Sequence, residues 1–178
     1  MNKKEIIKTD RLILKFLDNN DYDDLSKMLV NYDIKRTYMI PDFESVDELV
    51  DFFNRLVRIS KYDDRLLYGI YFDNKIIGMI NEVEVVDGKI ELGYFINPLY
   101  QNKGYCTEVL IKMTDELFSM GFDTIKTSVF IDNIPSMKVC NKAGMKNTNE
   151  FEFVNYNSKE IKCVCFEIKK EDYEKENY

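Results

Sequence analysis

The clearest chemical signal in the sequence is a short polar loop between a predicted strand and a predicted amphipathic helix. This loop reads Gln101-Asn102-Lys103-Gly104. Backbone N–H groups in the first turn of a helix have no intrahelical partners and carry the positive end of the helix dipole, so they attract anions. Gly104 would let a phosphate approach the main chain closely, and Lys103 adds a positive charge. These features predict a phosphate site, although a helix start beside a surface lysine has the same pattern.

The absence of histidine narrows the chemistry that this chain can perform. It excludes a Ser-His-Asp triad, a Cys-His dyad, imidazole metal ligands and an imidazole general base. Proton transfer would have to use carboxylates, Tyr, Cys, Lys, Ser or water. The cysteines form no C-x-x-C pair and lie among apolar residues, so we interpret them as reduced core residues and expect no metal site. They are Cys106, Cys140, Cys163 and Cys165.

Length and composition indicate one globular domain over residues 1–178, with no repeat or linker. The formal net charge is −7, from 25 basic and 32 acidic residues. This balance disfavours nucleic acid, which needs clustered Lys and Arg, and favours a cationic or amine-bearing partner. The first residues lack a continuous apolar segment, and no apolar run reaches the roughly 20 residues of a membrane span. We therefore expect a cytoplasmic protein without a membrane partner.

Hydrophobic periodicity predicts the elements that must position the loop. Alternation in Leu12–Phe16 predicts a first strand, and helical stripes predict helices at Asp18–Tyr32 and Ser45–Ile59, with an aperiodic loop at Ile34–Phe43. The remaining elements are strands at Leu66–Phe72, Ile76–Val86 and Lys89–Asn97, a helix at Gly104–Met120, a strand at Thr124–Ile131, a helix at Asn133–Ala143, and strands at Met145–Tyr156 and Glu160–Lys169. The order β-α-α-β-β-β-α-β-α-β-β indicates an α/β (α+β) protein with a mixed sheet.

Around the polar loop the sequence resembles the GNAT N-acetyltransferase superfamily. Gln101–Cys106 resembles the Q/R-x-x-G-x-G/A loop that binds the pyrophosphate of acetyl-CoA in that superfamily. The preceding segment, Glu91–Pro98, is similar to the strand that leads into this loop. Cys106 departs from the usual Gly or Ala at the third small position, but cysteine is small enough to preserve the main-chain cradle.

Two further motifs resemble the Rim-type branch of the superfamily, which is named for ribosomal-protein alanine acetyltransferases. Thr9–Leu14 resembles its opening T-x-R-L-x-L motif, and Asn133–Ser136 with Lys142–Met145 resembles its later N-x-x-S … K-x-G-F signature. The motifs occur in the family's order between about Thr9 and Lys169. The resemblance implies a mostly antiparallel sheet flanked by helices, in an enzyme that transfers the acetyl group of acetyl-CoA to a primary amine.

The resemblance also implies which residues bind acetyl-CoA as co-substrate. The strand at Lys89–Asn97 and its neighbour from Thr124–Ile131 would separate after Tyr94–Ile96, and the pantetheine arm would lie in the gap. A strand N–H would stabilise the developing oxyanion, and Asn133 would hydrogen-bond the pantetheine. The implied cofactor-binding residues are Tyr94, Phe95, Ile96, Gln101, Asn102, Lys103, Gly104, Tyr105, Cys106 and Asn133.

Glu91 and Ser136 are the predicted catalytic residues. Many family members have a tyrosine that protonates the departing thiolate of CoA, and this chain has Cys140 at that position. Ser136, which matches the serine of the Rim-type branch, is therefore the predicted acid, with Cys140 as the alternative. Glu91 shares a strand face with Gly93 and Phe95, and we expect it to collect the proton of the amine as a base or by orienting a water.

These residues also have purely structural interpretations. Ser136 suits the first turn of a helix, Asn133 suits an N-cap, and Glu91 suits a solvated strand position paired with Lys75 or Lys89. Direct transfer in a ternary complex is the expected mechanism, with an acetyl-cysteine intermediate as the alternative. No base or charged activator adjoins the cysteines in sequence.

The charge of the chain bears on the identity of the acceptor. The acidic net charge favours a cationic amine, such as a protein N-terminus, a polyamine or an aminoglycoside. A non-catalytic acyl-CoA-binding module is the rival interpretation, and the cysteine in place of the usual tyrosine supports it. The resemblance also allows a homodimer.

Overall fold

The computed structural model describes Met1 and residues 3–177, with side chains through Lys175; Asn2 and Tyr178 of the predicted domain lie outside the described residues. The strands are β1 (Ile6–Lys8), β2 (Ile13–Lys15), β3 (Leu67–Phe72), β4 (Lys75–Val86), β5 (Lys89–Ile96), β6 (Thr124–Phe130), β7 (Lys146–Tyr156) and β8 (Lys159–Lys169). Within the described chain these eight strands form one sheet in the order β1-β2-β3-β4-β5-β6-β8-β7.

The helices are α1 (Tyr22–Leu29), α2 (Tyr32–Lys35), α3 (Val46–Ser60), α4 (Tyr105–Ser119), α5 (Ile134–Lys142) and α6 (Lys170–Asn177). β6 runs parallel to β5, whereas β1–β2, β2–β3, β3–β4, β6–β8 and β7–β8 are antiparallel pairs. The predicted fold class, a mixed and mostly antiparallel sheet with helices, is confirmed. Every predicted element is present in the predicted order.

The structure adds three short elements to those predicted, β1, α2 and α6. β1 has three residues and only Ile7 among them is buried, so no alternating pattern can be recognised in its sequence. α2 forms because Asn31 accepts hydrogen bonds from the N–H groups of Asp33 and Ile34, which starts a new helix just after α1 ends. α6 is almost entirely polar, and the ring of its Tyr173 packs against Phe118, 5.3 Å between centroids.

Two-residue turns join β3 to β4, β4 to β5 and β7 to β8, and each of these turns has positive φ at both positions. The turn residues are Asp73–Asn74, Asp87–Gly88 and Asn157–Ser158. Such turns match the right-handed twist of the strands, and Asn, Asp and Gly tolerate the required backbone conformation best. The Asp87-Gly88 hairpin predicted from the sequence is therefore present and joins β4 to β5.

The chain folds as two compact units. The first comprises Met1–Asn81 and Tyr94–Tyr105, and the second comprises Glu82–Gly93 and the chain from Cys106 onward. In the first unit, helices α1 and α3 bury one apolar face each, and the core includes Leu25, Leu29, Phe53, Leu56, Tyr71 and Met79. In the second unit the fully buried side chains include Ile90, Leu110, Met113, Leu117, Ile125 and Cys140.

Within the first unit, β4 approaches the end of β5 so closely that position 78 requires glycine. A Cβ added to Gly78 would lie 2.2 Å from the carbonyl oxygen of Phe95 and 3.1 Å from the Cα of Ile96. Beside it, the Asn97 N–H donates to the Ile77 carbonyl at 2.7 Å. Glycine in a strand often marks such a close approach of two backbones. Gly78 thus fixes the position of the segment predicted to bind the thioester end of the cofactor.

We predict that Gly78→Ala lowers the free energy of unfolding by about 2 kcal/mol or more, because backbone atoms must shift to admit the methyl group. Chemical denaturation measures this loss. Gly121→Ala is the control, because its added Cβ meets no atom within 4 Å. Its φ of +98° is strained for alanine, and this backbone strain alone should cost about 1 kcal/mol. A loss for Gly78→Ala no larger than that of the control would contradict the close approach.

Candidate functional site

The predicted phosphate loop is tied to the end of β5 by two side chains. Asn97 begins a 3-10 turn over Pro98–Tyr100, because its Oδ1 accepts the Leu99 N–H at 3.1 Å. Gln101 Nε2 then donates to the carbonyl of Ile96 at 2.9 Å. The loop therefore starts from a fixed point on the last residue of the strand.

Backbone conformation in the loop fits the predicted anion site. Asn102 and Gly104 have φ angles of 61° and 80°, in the region that favours Asn and Gly. The side chains of the loop are exposed, and α4 begins directly afterwards at buried Tyr105. The main chain at Gly104 is thus accessible next to the N–H groups of the first helical turn, where an anion is favoured.

Arg11 also contacts this loop, although it was not among the predicted site residues. Its Nη1 donates to the carbonyl of Lys103 at 2.9 Å, and its guanidinium lies 4.7 Å from the ring centroid of Tyr105. That ring packs in turn on Phe72, 5.2 Å between centroids. The only sequence signal for this role is that Arg11 lies in the T-x-R-L motif.

The parallel register of β5 and β6 consists of Lys89↔Thr124, Ile90↔Ile125 and Glu91↔Lys126. In the described chain β5 continues to Ile96 and β6 to Phe130 beyond that point. The described pairing thus involves the first three residues of β5, and the separation after Tyr94–Ile96 stays a prediction.

Alternation of the β5 backbone shows which groups face away from β4. The Asn97 N–H points to Ile77 of β4. Main-chain groups alternate in direction along a strand, so those of Tyr94 and Ile96 point to the opposite edge. On that edge the Ile96 carbonyl accepts the hydrogen bond from Gln101. The edge of β5 that faces away from β4 thus holds the first residue of the phosphate loop in place.

Glu91 lies in a polar cluster of the second unit and is not a solvated residue. Its side chain is 13% exposed, and its carboxylate lies 4.0 Å from Nζ of Lys126. Lys126 also binds Glu152 directly, and the Ser128 hydroxyl donates to the other oxygen of Glu152 at 2.8 Å. The salt-bridge partner of Glu91 is thus Lys126, one strand away, and not the predicted Lys75 or Lys89. No sequence signal indicated this cluster, because the parallel register creates it.

The surroundings of Glu91 shift its pKa upward from the ordinary value of a glutamate. Burial raises the pKa of Glu91, and the charges of Glu152 and Glu84 act in the same direction. The nearby Ser128 hydroxyl and the charge of Lys126 act against the shift without cancelling it. For Glu152, burial is outweighed by the hydrogen bonds from Lys126 and Ser128, so its pKa is lowered. A raised pKa brings the carboxyl group closer to the pKa that a general base needs near neutral pH.

At the start of α5, Asn133 and Ser136 form an N-cap. Asn133 Oδ1 accepts the Ser136 N–H at 3.2 Å, so the structural interpretation of Asn133 holds and its Nδ2 is the group that could serve a ligand. Ser136 is half-buried, whereas Cys140 is fully buried one turn further along. Of the two candidate acids, Ser136 is the one with access to solvent.

Cys106 sits in the first turn of α4 and is partly exposed. Burial of the thiol group and the proximity of Cys140 raise the pKa of Cys106 to about 12. Because the thiolate is the nucleophilic form, Cys106 is poorly suited to carry an acetyl group at neutral pH. This disfavours the alternative of an acetyl-cysteine intermediate at Cys106.

The described residues contain no group of three or more His, Cys, Asp or Glu side chains arranged to hold a metal ion. None of the helices in the described part of the chain is long and apolar enough to cross a membrane.

A family model for the acetyltransferase (GNAT) domain matches residues 11–146. Among curated proteins, the chain is similar to an uncharacterized N-acetyltransferase, YoaA, of Bacillus subtilis (strain 168). The two are 27% identical over 146 residues, which cover 79% of this chain and 82% of the relative.

Two solved acetyltransferases share the fold. One is the microcin C7 self-immunity acetyltransferase MccE in complex with acetyl-CoA and AMP, with a TM-score of 0.77, 17% identity, and coverage of 94% of this chain and 97% of that one. The other is RimL, a ribosomal L7/L12 alpha-N-protein acetyltransferase, in complex with coenzyme A, with a TM-score of 0.75, 15% identity, and coverage of 93% and 98%.

The chain therefore belongs to the GNAT acetyltransferase family. The family model spans residues of both compact units. The predicted superfamily and the predicted enzyme class, an N-acetyltransferase, are confirmed. Acetyl-CoA as the acetyl donor, predicted from the resemblance, is supported by this membership.

The polar cluster predicts how the pKa of Glu91 changes when the neighbouring carboxylate, Glu152, is neutralised. In Glu152→Gln, one negative charge disappears, and Lys126 and Ser128 become available to Glu91, so the pKa of Glu91 should fall. Carboxyl-carbon NMR titration of Glu91 measures this change. Glu150→Gln, an exposed position on the same strand, is the matched control and should leave that pKa unchanged. An unchanged or higher pKa in Glu152→Gln would contradict the described cluster.

Proposed function

We propose that this chain transfers the acetyl group of acetyl-CoA directly to a primary amine in a ternary complex, with both compact units acting as one domain. The phosphate loop carries the proposal. Gln101 ties the loop to the last residue of β5, and Asn102 and Gly104 have positive φ angles directly before α4 begins. The acetyl-CoA bound to MccE and the CoA bound to RimL support this assignment.

In this proposal the cofactor follows the chain from β5 into α4. The pantetheine arm pairs with the main chain of Tyr94 and Ile96, with Phe95 between them in the core. The pyrophosphate lies on the loop from Gln101 to Tyr105. The small side chain of Cys106, in the first turn of α4, leaves room for the phosphate to approach the main chain. Asn133 offers its Nδ2 to the pantetheine, and a β5 N–H stabilises the oxyanion.

Two residues complete the chemistry. Glu91 removes the proton of the ammonium acceptor, directly or through an oriented water, and its raised pKa suits that task. Ser136 delivers a proton to the departing thiolate, because the fully buried Cys140 has replaced the usual tyrosine. Serine is a weak acid, so its contribution is expected to be modest.

The acceptor is a cationic amine, namely a protein N-terminus, a polyamine or an aminoglycoside-like compound. The net charge of −7 supports a cation. Membership of the Rim-type branch, supported by the Thr9–Leu14 motif and by the likeness to RimL, favours a protein N-terminus among these. We further propose a cytoplasmic enzyme, since all four cysteines are free thiols. A homodimer is compatible with this assignment.

The direct test is thiol release from acetyl-CoA over a panel of peptides, polyamines and aminoglycosides. The proposal expects release that depends on at least one of these amines. The rival function is a non-catalytic acyl-CoA-binding module, which the cysteine at position 140 favours. Thermal stabilisation by CoA without thiol release for any amine would support that rival, and absence of both would contradict an acyl-CoA site altogether.

Ser136→Ala should lower kcat by about 100-fold with little change in KM, because a proton donor acts mainly in the transition state. Steady-state kinetics with the best amine of the panel measure both constants. Cys140→Ala is the paired variant, with circular dichroism to confirm that it folds. A normal Ser136→Ala enzyme beside a crippled and folded Cys140→Ala enzyme would assign the proton to the cysteine.

A further inference from the structure

We propose that Arg11 is a phosphate-binding residue of the acetyl-CoA site and contacts the pyrophosphate beside Gly104. This inference rests on the cofactor site proposed above and adds a residue from a distant part of the chain. Arg11 lies between β1 and β2, whereas the loop follows β5, so 92 residues separate Arg11 from Lys103.

A tight turn holds Arg11 in place. The Thr9 N–H donates to the Leu12 carbonyl at 3.0 Å, and the Leu12 N–H donates to the Thr9 hydroxyl at 2.9 Å. Leu12 is buried and anchors the turn in the core, while Arg11 beside it is exposed. The T-x-R-L spacing therefore has a physical meaning, because the threonine closes the turn, the leucine anchors it and the arginine projects from it.

The guanidinium of Arg11 is directed at the main chain where the phosphate is expected. Nη1 donates a hydrogen bond to the carbonyl of Lys103, and Cζ lies 4.7 Å from the ring centroid of Tyr105. Nη2 is the nearest atom to the place that a Gly104 side chain would occupy, 3.4 Å from an added Cβ. Because Gly104 has no side chain, the space beside its Cα stays open for a phosphate. The guanidinium of Arg11 borders this space and would thus lie next to the proposed anion.

The chemistry of this arrangement matches a phosphate ester. A guanidinium is planar, permanently charged and less strongly hydrated than an ammonium, and it binds phosphate oxygens through paired N–H groups. Contact with the Tyr105 ring and the Lys103 carbonyl fixes its orientation before a ligand arrives, which lowers the ordering cost of binding. Together with the charge of Lys103, Arg11 places two cations at the loop of an otherwise acidic protein.

A purely structural role, bracing the loop against Tyr105, is the competing explanation. The two roles differ in which ligands they affect. A phosphate contact influences only donors that contain a pyrophosphate, whereas a distorted loop at the end of β5 would also disturb binding of the pantetheine arm. Acetyl-pantetheine, which lacks all phosphates, and dephospho-CoA, which keeps the pyrophosphate but lacks the 3′-phosphate, separate these cases.

Arg11→Gln should weaken binding of CoA and of dephospho-CoA by about tenfold or more, the loss expected for one charge-assisted hydrogen bond. Arg11→Lys, which keeps the charge but not the planar fork, should lie between Arg11→Gln and the natural chain. The kcat/KM for acetyl-pantetheine should stay unchanged in both variants. Arg55→Gln removes an exposed cation of α3 and is the matched control, with no expected effect on any of these ligands.

Three results would overturn the proposal. Unchanged affinity for CoA in Arg11→Gln would remove Arg11 from the site. An equal loss with acetyl-pantetheine would show a structural role only, and a loss confined to CoA, with dephospho-CoA unaffected, would move the contact from the pyrophosphate to the 3′-phosphate. A natural chain that binds no CoA at all would instead refute the proposed cofactor site on which this inference rests.

Discussion

The pairing of Glu91 with Lys126 belongs to the parallel register of β5 and β6, and the proposed site is built around this pair. Beyond it β5 continues for five residues, and Gly78 permits β4 to approach the backbone of this part of the strand closely. In the proposed complex the pantetheine arm pairs with the main chain of these residues, which is how main-chain groups recognise extended chains in general.

The same pair sets the chemistry of the proposed base. Lys126 lies between two carboxylates and binds Glu152 more closely than Glu91, and Ser128 donates to Glu152 as well. Glu91 is therefore desolvated without being fully neutralised, which is the condition under which burial and neighbouring charge raise a carboxyl pKa. In a chain without histidine, a carboxylate tuned in this way is a suitable group to accept a proton from an amine.

The sequence allowed prediction of features that depend on neighbours along the chain. The Asp87-Gly88 turn, the helix start after Gly104 and the Asn133 cap all depend on local residue types, and the structure contains each of them. Contacts between distant strands were not predictable, because a parallel register has no local sequence signature. The structural interpretation of Glu91 thus paired it with Lys75 or Lys89, and the contact of Arg11 with Lys103, across 92 residues, was not predicted.

Amide hydrogen exchange with and without CoA tests the central claim most directly, because it reports on the main chain of β5 and of the loop in the intact protein. We predict that CoA slows exchange in residues 92–96 and 101–106, where the strand and the helix start would bind the ligand. We also expect little change in the β7–β8 hairpin, which the proposed cofactor does not touch. Slowed exchange confined to that hairpin, with residues 92–106 unaffected at saturating CoA, would contradict this claim.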